Sequence, residues 1–177
     1  LLIDLDHFKT INDSLGHDIG DKLLKEVSNR IRQNISMHNL VGRLGGDEFI
    51  ICGDEISSRN KCREEAMELA NKLIESLKET YIIEQHHLYI SSSIGVSLVD
   101  ATANNANSFI KAADIAMYEV KDKGRDGVFI FDSEMSSRVE ARLEVERLLH
   151  FALDKNEITL HFQPQLNSLK KVIGADA

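Results

Sequence analysis

The sequence is short of most features that would place it among metal fingers, disulfide scaffolds or membrane proteins. Its only two cysteines, Cys52 and Cys62, form no CxxC pair and have no histidine at metal-site spacing. Two reduced thiols are therefore expected, and a zinc site is not. No apolar stretch approaches the roughly 18–20 residues that cross a bilayer, and no charged-then-apolar leader precedes a small-residue cleavage site. The segment is expected to be soluble and cytoplasmic with no membrane contact of its own, which leaves room for a membrane-anchored sensor ahead of it. Positive charge is also scarce: 21 Lys and Arg stand against 29 Asp and Glu, a formal net charge of −8. That balance argues against a nucleic-acid binder, which needs a basic surface to neutralise phosphates, so an anionic ligand must be held locally. Pro164 is the only proline; neither internal repeats nor low-complexity stretches occur.

What is present reads as one domain and the beginning of another. The 177 residues, 42% of them hydrophobic, are enough for one core and part of a second. The sequence opens on the apolar run Leu1-Leu2-Ile3, without a Met, and is read as a piece of a longer protein with both ends artificial. Leu1 to Leu5 reads as a buried strand, and Phe8, Ile11 and Leu15 recur at helical spacing up to Gly16. Leu24, Val27, Ile31 and Ile35 mark a second helix, with the Asp21 carboxylate where a helix start favours one. Leu40 to Leu44 and Phe49 to Cys52 read as strands joined by a tight turn, Gly45-Gly46-Asp47-Glu48.

Cys62, Ala66, Leu69, Ala70, Leu73, Ile74 and Leu77 line a third helix. Ile90, Ile94, Val96 and Leu98 share one parity of a half-buried strand from Tyr89 to Val99, with serines between them. After a polar loop, Phe109 to Val120 carry the apolar face of a fourth helix ending near Gly124, and Val128 to Phe131 form a last strand. A charged connector helix follows from Ser133, and Ile158, Leu160 and Phe162 then alternate with polar residues as a new strand before Pro164. The expected division is a domain over 1–131, a connector over 132–156 and a new unit over 157–177.

Two acidic clusters stand out, Asp4-Leu5-Asp6 at a strand end and Asp47-Glu48 in the glycine turn. If the turn lies beside the first strand, the carboxylates converge, and hard oxygen ligands of this kind hold Mg²⁺ with substrate phosphates completing its shell. A single Asp or Glu in such a place usually just favours a turn; two clusters beside two glycines read better as a site, because glycine lets a ligand approach the backbone. Lys121 and Arg125, four residues apart with Lys123 between them, either answer a helix dipole or hold a triphosphate and a departing pyrophosphate, with Lys9 adding positive charge. Asn12 and Asp21 flank the loop containing His17. They either cap helices or read the edge of guanine, whose N1–H and exocyclic amine suit a carboxylate; spacing alone leaves the two readings level.

Taken together, Asp4-Leu5-Asp6-His7-Phe8-Lys9, Ile11-Asn12-Asp13, Gly16 to Asp21, Arg43-Leu44-Gly45-Gly46-Asp47-Glu48-Phe49 and Lys121 to Arg125 resemble the GGDEF family of diguanylate cyclases over about residues 1–131. The resemblance implies an α/β (α+β) palm-like fold, with a central, mostly antiparallel sheet flanked by helices, related to nucleotidyl cyclases. It further implies Mg²⁺, with Mn²⁺ as a substitute, held by Asp4, Asp47, Glu48 and the Leu5 carbonyl. Glu48 would activate the ribose 3′-hydroxyl with Asp47 beside it in the catalytic turn. Asn12 and Asp21 would bind guanine, His17 would add a weaker contact, and Phe8, Lys9, Lys121 and Arg125 would surround the phosphates near Gly45 and Gly46. The implied reaction condenses two GTP into cyclic di-GMP and two pyrophosphates across a homodimer.

Two departures bear on that reading. Where product-inhibited relatives carry an RxxD motif, this sequence has Ser36 and Asn39, so feedback through that site is expected to be absent. The family's leading helix and Asn-Arg segment precede the first strand and are not in this sequence. From about Glu144 the sequence is similar to the opening of an EAL phosphodiesterase domain, through Leu160-His161-Phe162-Gln163-Pro164-Gln165 and Gly174-Ala175-Asp176-Ala177, with Asp176 where that family has its Glu. No phosphodiesterase activity is expected of the chain. The competing reading is a catalytically silent GTP-binding module that regulates an attached EAL domain; the undamaged Gly45-to-Phe49 turn favours the cyclase.

Overall fold

The computed structural model describes residues 1–53, 58–98, 105–152, 154–155 and 157–176. Val99, most of the expected polar loop after it, and Ala177 lie outside the described residues. The chain forms two compact units, Leu1–Ser136 and Ser137–Ala177.

The first unit is built on a strand short and apolar enough to be covered on both faces. β1 (Leu2–Leu5) is buried at every position and pairs antiparallel with β3 (Glu48–Cys52) on one side and β6 (Ser92–Val96) on the other. β2 (Leu40–Gly45) continues the antiparallel pairing outside β3, and β7 (Gly127–Ile130) adds a parallel strand outside β6. The sheet order is β2-β3-β1-β6-β7, a central, mostly antiparallel sheet flanked by helices, as expected.

Side-chain alternation along the strands decides what each face receives. Ile3, Leu5, Phe49, Ile51, Ile94 and Val96 join Leu23, Val27 and Ile31 of α2 (His17–Asn34) and Leu73, Ile74 and Leu77 of α3 (Arg59–Lys78) in the main core. The opposite face gives Leu2 to Ala113 and Met117 of α4 (Ala106–Asp122). β6 is buried at all five positions, not half-buried as its alternation suggested, because α4 lies directly on it. Gly95 makes that approach possible: a Cβ there would come within 1.9 Å of the Ala113 carbonyl oxygen.

Two further expectations are corrected, and one hairpin appears that the sequence did not suggest. The second helix begins at His17, one turn earlier than the periodicity placed it, so Asp21 lies inside the helix and Asp18 occupies its first turn. A hairpin of β4 (Tyr81–Ile83) and β5 (His86–Leu88) precedes β6; its strands are too short for periodicity, and its turn uses Glu84 at φ 55° rather than a glycine. Residues 157–162 form no strand. Leu160 and Phe162, 68% and 66% exposed, alternate as a strand would, yet the described chain supplies no neighbouring strand for their backbone.

The second unit holds most of α5 (Ser133–Ala152) and the antiparallel pair β8 (Gln163–Leu166) and β9 (Val172–Asp176).

Candidate functional site

The two acidic stretches are brought together by strand pairing. Asp4 lies directly opposite Glu48 in the β1–β3 register and opposite Ser93 in the β1–β6 register. Asp4 is 9% exposed, and its Oδ2 meets Lys121 Nζ of α4 at 2.7 Å. Burial pushes the Asp4 carboxyl above its ordinary range. The Lys121 ammonium opposes that rise by hydrogen bond and charge, while the nearby Asp47 and Asp6 carboxylates add to it. A buried anion flanked by other anions demands a cation, and here an ammonium meets that demand.

The turn between β2 and β3 is open on its outer side. Gly46 has φ 52°, and a Cβ at Gly45 or Gly46 would meet nothing within 4 Å. A ligand can therefore approach the backbone at both glycines, as the sequence suggested. Arg43 holds the turn from within: its Nε and Nη2 donate to the Gly46 carbonyl at 2.8 and 2.6 Å. Sequence reasoning missed this role. Its only signal is an arginine three residues before the second glycine.

Asn12 and Asp21 are placed by α1 (Phe8–Leu15) and α2. Asn12 is half-buried, with its Oδ1 enclosed and without a hydrogen-bond partner. That oxygen lies against Gly20, where a Cβ would come within 1.8 Å of it. Asp21 is exposed, at the rim of a depression of about 370 Å³ formed with Leu24, Lys25, Arg32, Val41, Arg43 and Phe49. Apolar walls with a carboxylate and arginines at the edge suit a flat, polar-edged ring. The ring of Phe8 belongs to the core, 6% exposed, so only its backbone is available to a ligand. Lys9 and His17 are exposed. A larger depression of about 510 Å³, bordered by Arg63, Lys111, Phe109 and Phe131, contains none of the expected residues.

Lys121 and Arg125 do not share a helical face. α4 stops at Asp122, and the chain leaves through Gly124 at φ 110°. Gly124 N–H donates to the Lys121 carbonyl at 3.4 Å, and Arg125 N–H to the Val120 carbonyl at 2.9 Å. This is a glycine-terminated helix end whose last carbonyls are recaptured. Arg125 thus sits in a turn beyond the helix, exposed. Lys123 leans toward the Phe129 ring, 4.4 Å from its centroid.

Asp6 differs from Asp4. It is 4% exposed and accepts hydrogen bonds from Ser93 Oγ on Oδ1 and from Ser91 Oγ on Oδ2, both at 2.7 Å. Oδ2 also accepts from the Asp126 backbone N–H at 3.2 Å. Of the two strand-end aspartates, one faces a cation and the other is engaged by neutral donors.

The donor set bears on Mg²⁺. Among the described residues, no three His, Cys, Asp or Glu side chains close on a common point that an ion could fill, so a cage made wholly of side chains is not offered. Mg²⁺ is usually held by only one or two carboxylates with phosphates and water completing the shell. The buried Asp4 carboxylate, drawing an ammonium to itself beside Asp47, fits that requirement.

Residues 1–127 match the family model described as diguanylate cyclase, GGDEF domain. The chain is similar to the bifunctional diguanylate cyclase/cyclic di-GMP phosphodiesterase MucR of Pseudomonas aeruginosa, 39% identical over 166 residues, covering 94% of this chain and 24% of that protein. It is 37% identical to the cyclic di-GMP phosphodiesterase NbdA of the same organism, covering 94% of this chain and 21% of that protein. Among solved structures, the active GGEEF domain of a diguanylate cyclase from Vibrio cholerae superposes with a TM-score of 0.66 at 32% identity, covering 75% of this chain and 81% of that one. The chain thus spans under a quarter of the length of these two curated relatives.

Proposed function

The chain belongs to the GGDEF family of diguanylate cyclase domains, and from that premise we propose that it condenses two GTP into cyclic di-GMP and two pyrophosphates. The observation that carries this reading is the register of β1 against β3, which sets Asp4 opposite Glu48 beside an intact Gly45-Gly46-Asp47-Glu48 turn. In the proposed reaction the guanine lies near Asn12 and Asp21, with His17 at the mouth. The triphosphate runs toward the open glycine backbone, Lys9, Lys121 and Arg125. Glu48 takes the proton of the ribose 3′-hydroxyl, the oxygen attacks the α-phosphorus of the GTP held by a second copy, and the pyrophosphate leaves against Lys121 and Arg125. Asp4, Asp47, Glu48 and the Leu5 carbonyl would hold Mg²⁺, or Mn²⁺ in its place, which when bound neutralises charge on the transferring phosphate. One domain offers one such set of residues, so two copies must face each other.

The test is to incubate the chain with GTP and Mg²⁺ and follow cyclic di-GMP and pyrophosphate beside Asp47→Ala and Glu48→Ala. Both products from the intact chain, and neither from the variants, are expected. GTP binding without product, in a dimeric sample, would replace the cyclase with the second reading, a silent GTP-binding module that regulates an EAL unit beginning near residue 157. That reading is favoured by the name of NbdA, a phosphodiesterase similar to this chain over 166 residues.

A further inference from the structure

The turn that presents Arg125 is strained and is held from outside itself. Gly124, Arg125 and Asp126 have φ of 110°, 67° and 53°, three successive residues in the region that L side chains avoid. For Arg125 and Asp126 that conformation is disfavoured and persists only where the surroundings impose it. The helix end recaptures the Gly124 and Arg125 amides. The Asp126 amide instead crosses to Asp6, 120 residues away in sequence, at 3.2 Å.

Asp6 is itself fixed: Ser91 and Ser93 donate to its two oxygens, and its own N–H donates to the Ser91 carbonyl at 2.9 Å. Lys78 of α3 holds the Asp126 carboxylate at 3.2 Å. The turn is therefore clamped at its amide by a buried carboxylate and at its side chain by a lysine.

We infer that Asp6 is a positioning residue for the phosphate-binding arm: through the Asp126 amide it imposes the left-handed turn that holds Arg125 toward the triphosphate. The inference rests on the nucleotide reading above. Asp6 touches no substrate; its work is to make one backbone conformation the stable one. A carboxylate suits this task because it can accept from both serines and the amide at once, whereas an amide side chain has one oxygen to offer.

The experiment compares the whole chain with Asp6→Asn, Arg125→Ala and the double variant, measuring calorimetric affinity for GTP, added as 3′-deoxy-GTP so that no condensation occurs, and for GMP in Mg²⁺. Asp6→Asn is expected to weaken GTP about tenfold and leave GMP within about twofold, because only the distal phosphates depend on the arm. Arg125→Ala should weaken GTP similarly, and the double variant should be no worse than either single one, since both remove the same contact. If Asp6→Asn does not fold, Ser91→Ala, which removes one of the donors that fix Asp6, should lower the GTP-to-GMP affinity ratio about threefold. A parallel loss for both nucleotides, an unchanged ratio, or additive effects in the double variant would show a merely structural Asp6 and overturn the inference while leaving the nucleotide reading intact. Failure of the unaltered chain to bind GTP would overturn both.

Discussion

The two halves of the central sheet are finished differently. On the β1–β6–β7 side both faces are covered, by α2 and α3 on one and by α4 on the other, and Asp4, Asp6, Ser92 and Ser93 are all buried. On the β2–β3 side the cover is thinner: no residue of β2 is buried, and Ile50 of β3 is only partly buried against the α4 face. Leu40 and Leu44 of β2 are 73% and 51% exposed, and a Cβ at Gly45 or Gly46 would meet nothing within 4 Å. The candidate site takes one carboxylate from the buried half and two from the exposed half. The difference teaches a division of labour. The buried half gives fixed charge, since a carboxylate there cannot relax into water and draws a cation to itself; the exposed half gives an approachable backbone.

That contrast can be broken most severely at Gly95. Gly95→Ala should cost roughly 3 kcal/mol or more, because its Cβ would drive into the α4 backbone, whereas Gly45→Ala, in open space, should leave the free energy of urea unfolding within about 0.5 kcal/mol. A similar cost at both glycines would erase the distinction.

Next in size are the turn acids. Asp47→Ala and Glu48→Ala should each lower cyclic di-GMP formation at least about a hundredfold while the thermal midpoint moves little, since neither acid is part of the core. A large drop in midpoint with either variant would mean that the turn is structural.

A smaller effect is expected at Arg43. Arg43→Ala removes both donors to the Gly46 carbonyl, and should lower turnover about tenfold and stability by about 1 kcal/mol, read from initial rates and unfolding of the same sample. Unchanged turnover would show that the turn keeps its shape without the clamp.

A last effect, seen only at alkaline pH, belongs to Tyr81 of β4 in the main core. Burial pushes the Tyr81 hydroxyl up to about 12, against the opposing influence of Arg30, whose guanidinium lies 3.7 Å from the ring centroid. Because the folded value is the higher, the associated stability is full below the ordinary 10.0 and is lost as pH rises from there through about 12. Unfolding midpoints across that window should fall more steeply for the native chain than for Tyr81→Phe. Equal slopes would mean that the phenol titrates as if exposed.

Most of the main elements were legible before any coordinates because their signals are local: a helical face such as Leu24, Val27 and Ile31, or a glycine turn between two apolar runs. Strand alternation failed in two instructive places. At β6 it indicated one buried face, and α4 covered the second because Gly95 let a helix backbone approach. At Ile158 to Phe162 it indicated a strand where no partner backbone is present among the described residues. The β4–β5 hairpin was invisible because three-residue strands and a left-handed glutamate leave no periodicity to read.

By itself the sequence determined the family and the set of acids, bases and glycines, since these are matters of residue type and order, and chemistry is chosen by side chains. Residue type and spacing alone could not separate Asp4 from Asp6, two like residues in one motif, although the family resemblance marked Asp4 as a metal ligand and left Asp6 without a role. Only the tertiary structure decided that one meets Lys121 and the other Ser91, Ser93 and the Asp126 amide. Those partners lie 85 or more residues away along the chain, and the role of a carboxylate is set by whichever donors the fold brings within hydrogen-bond reach.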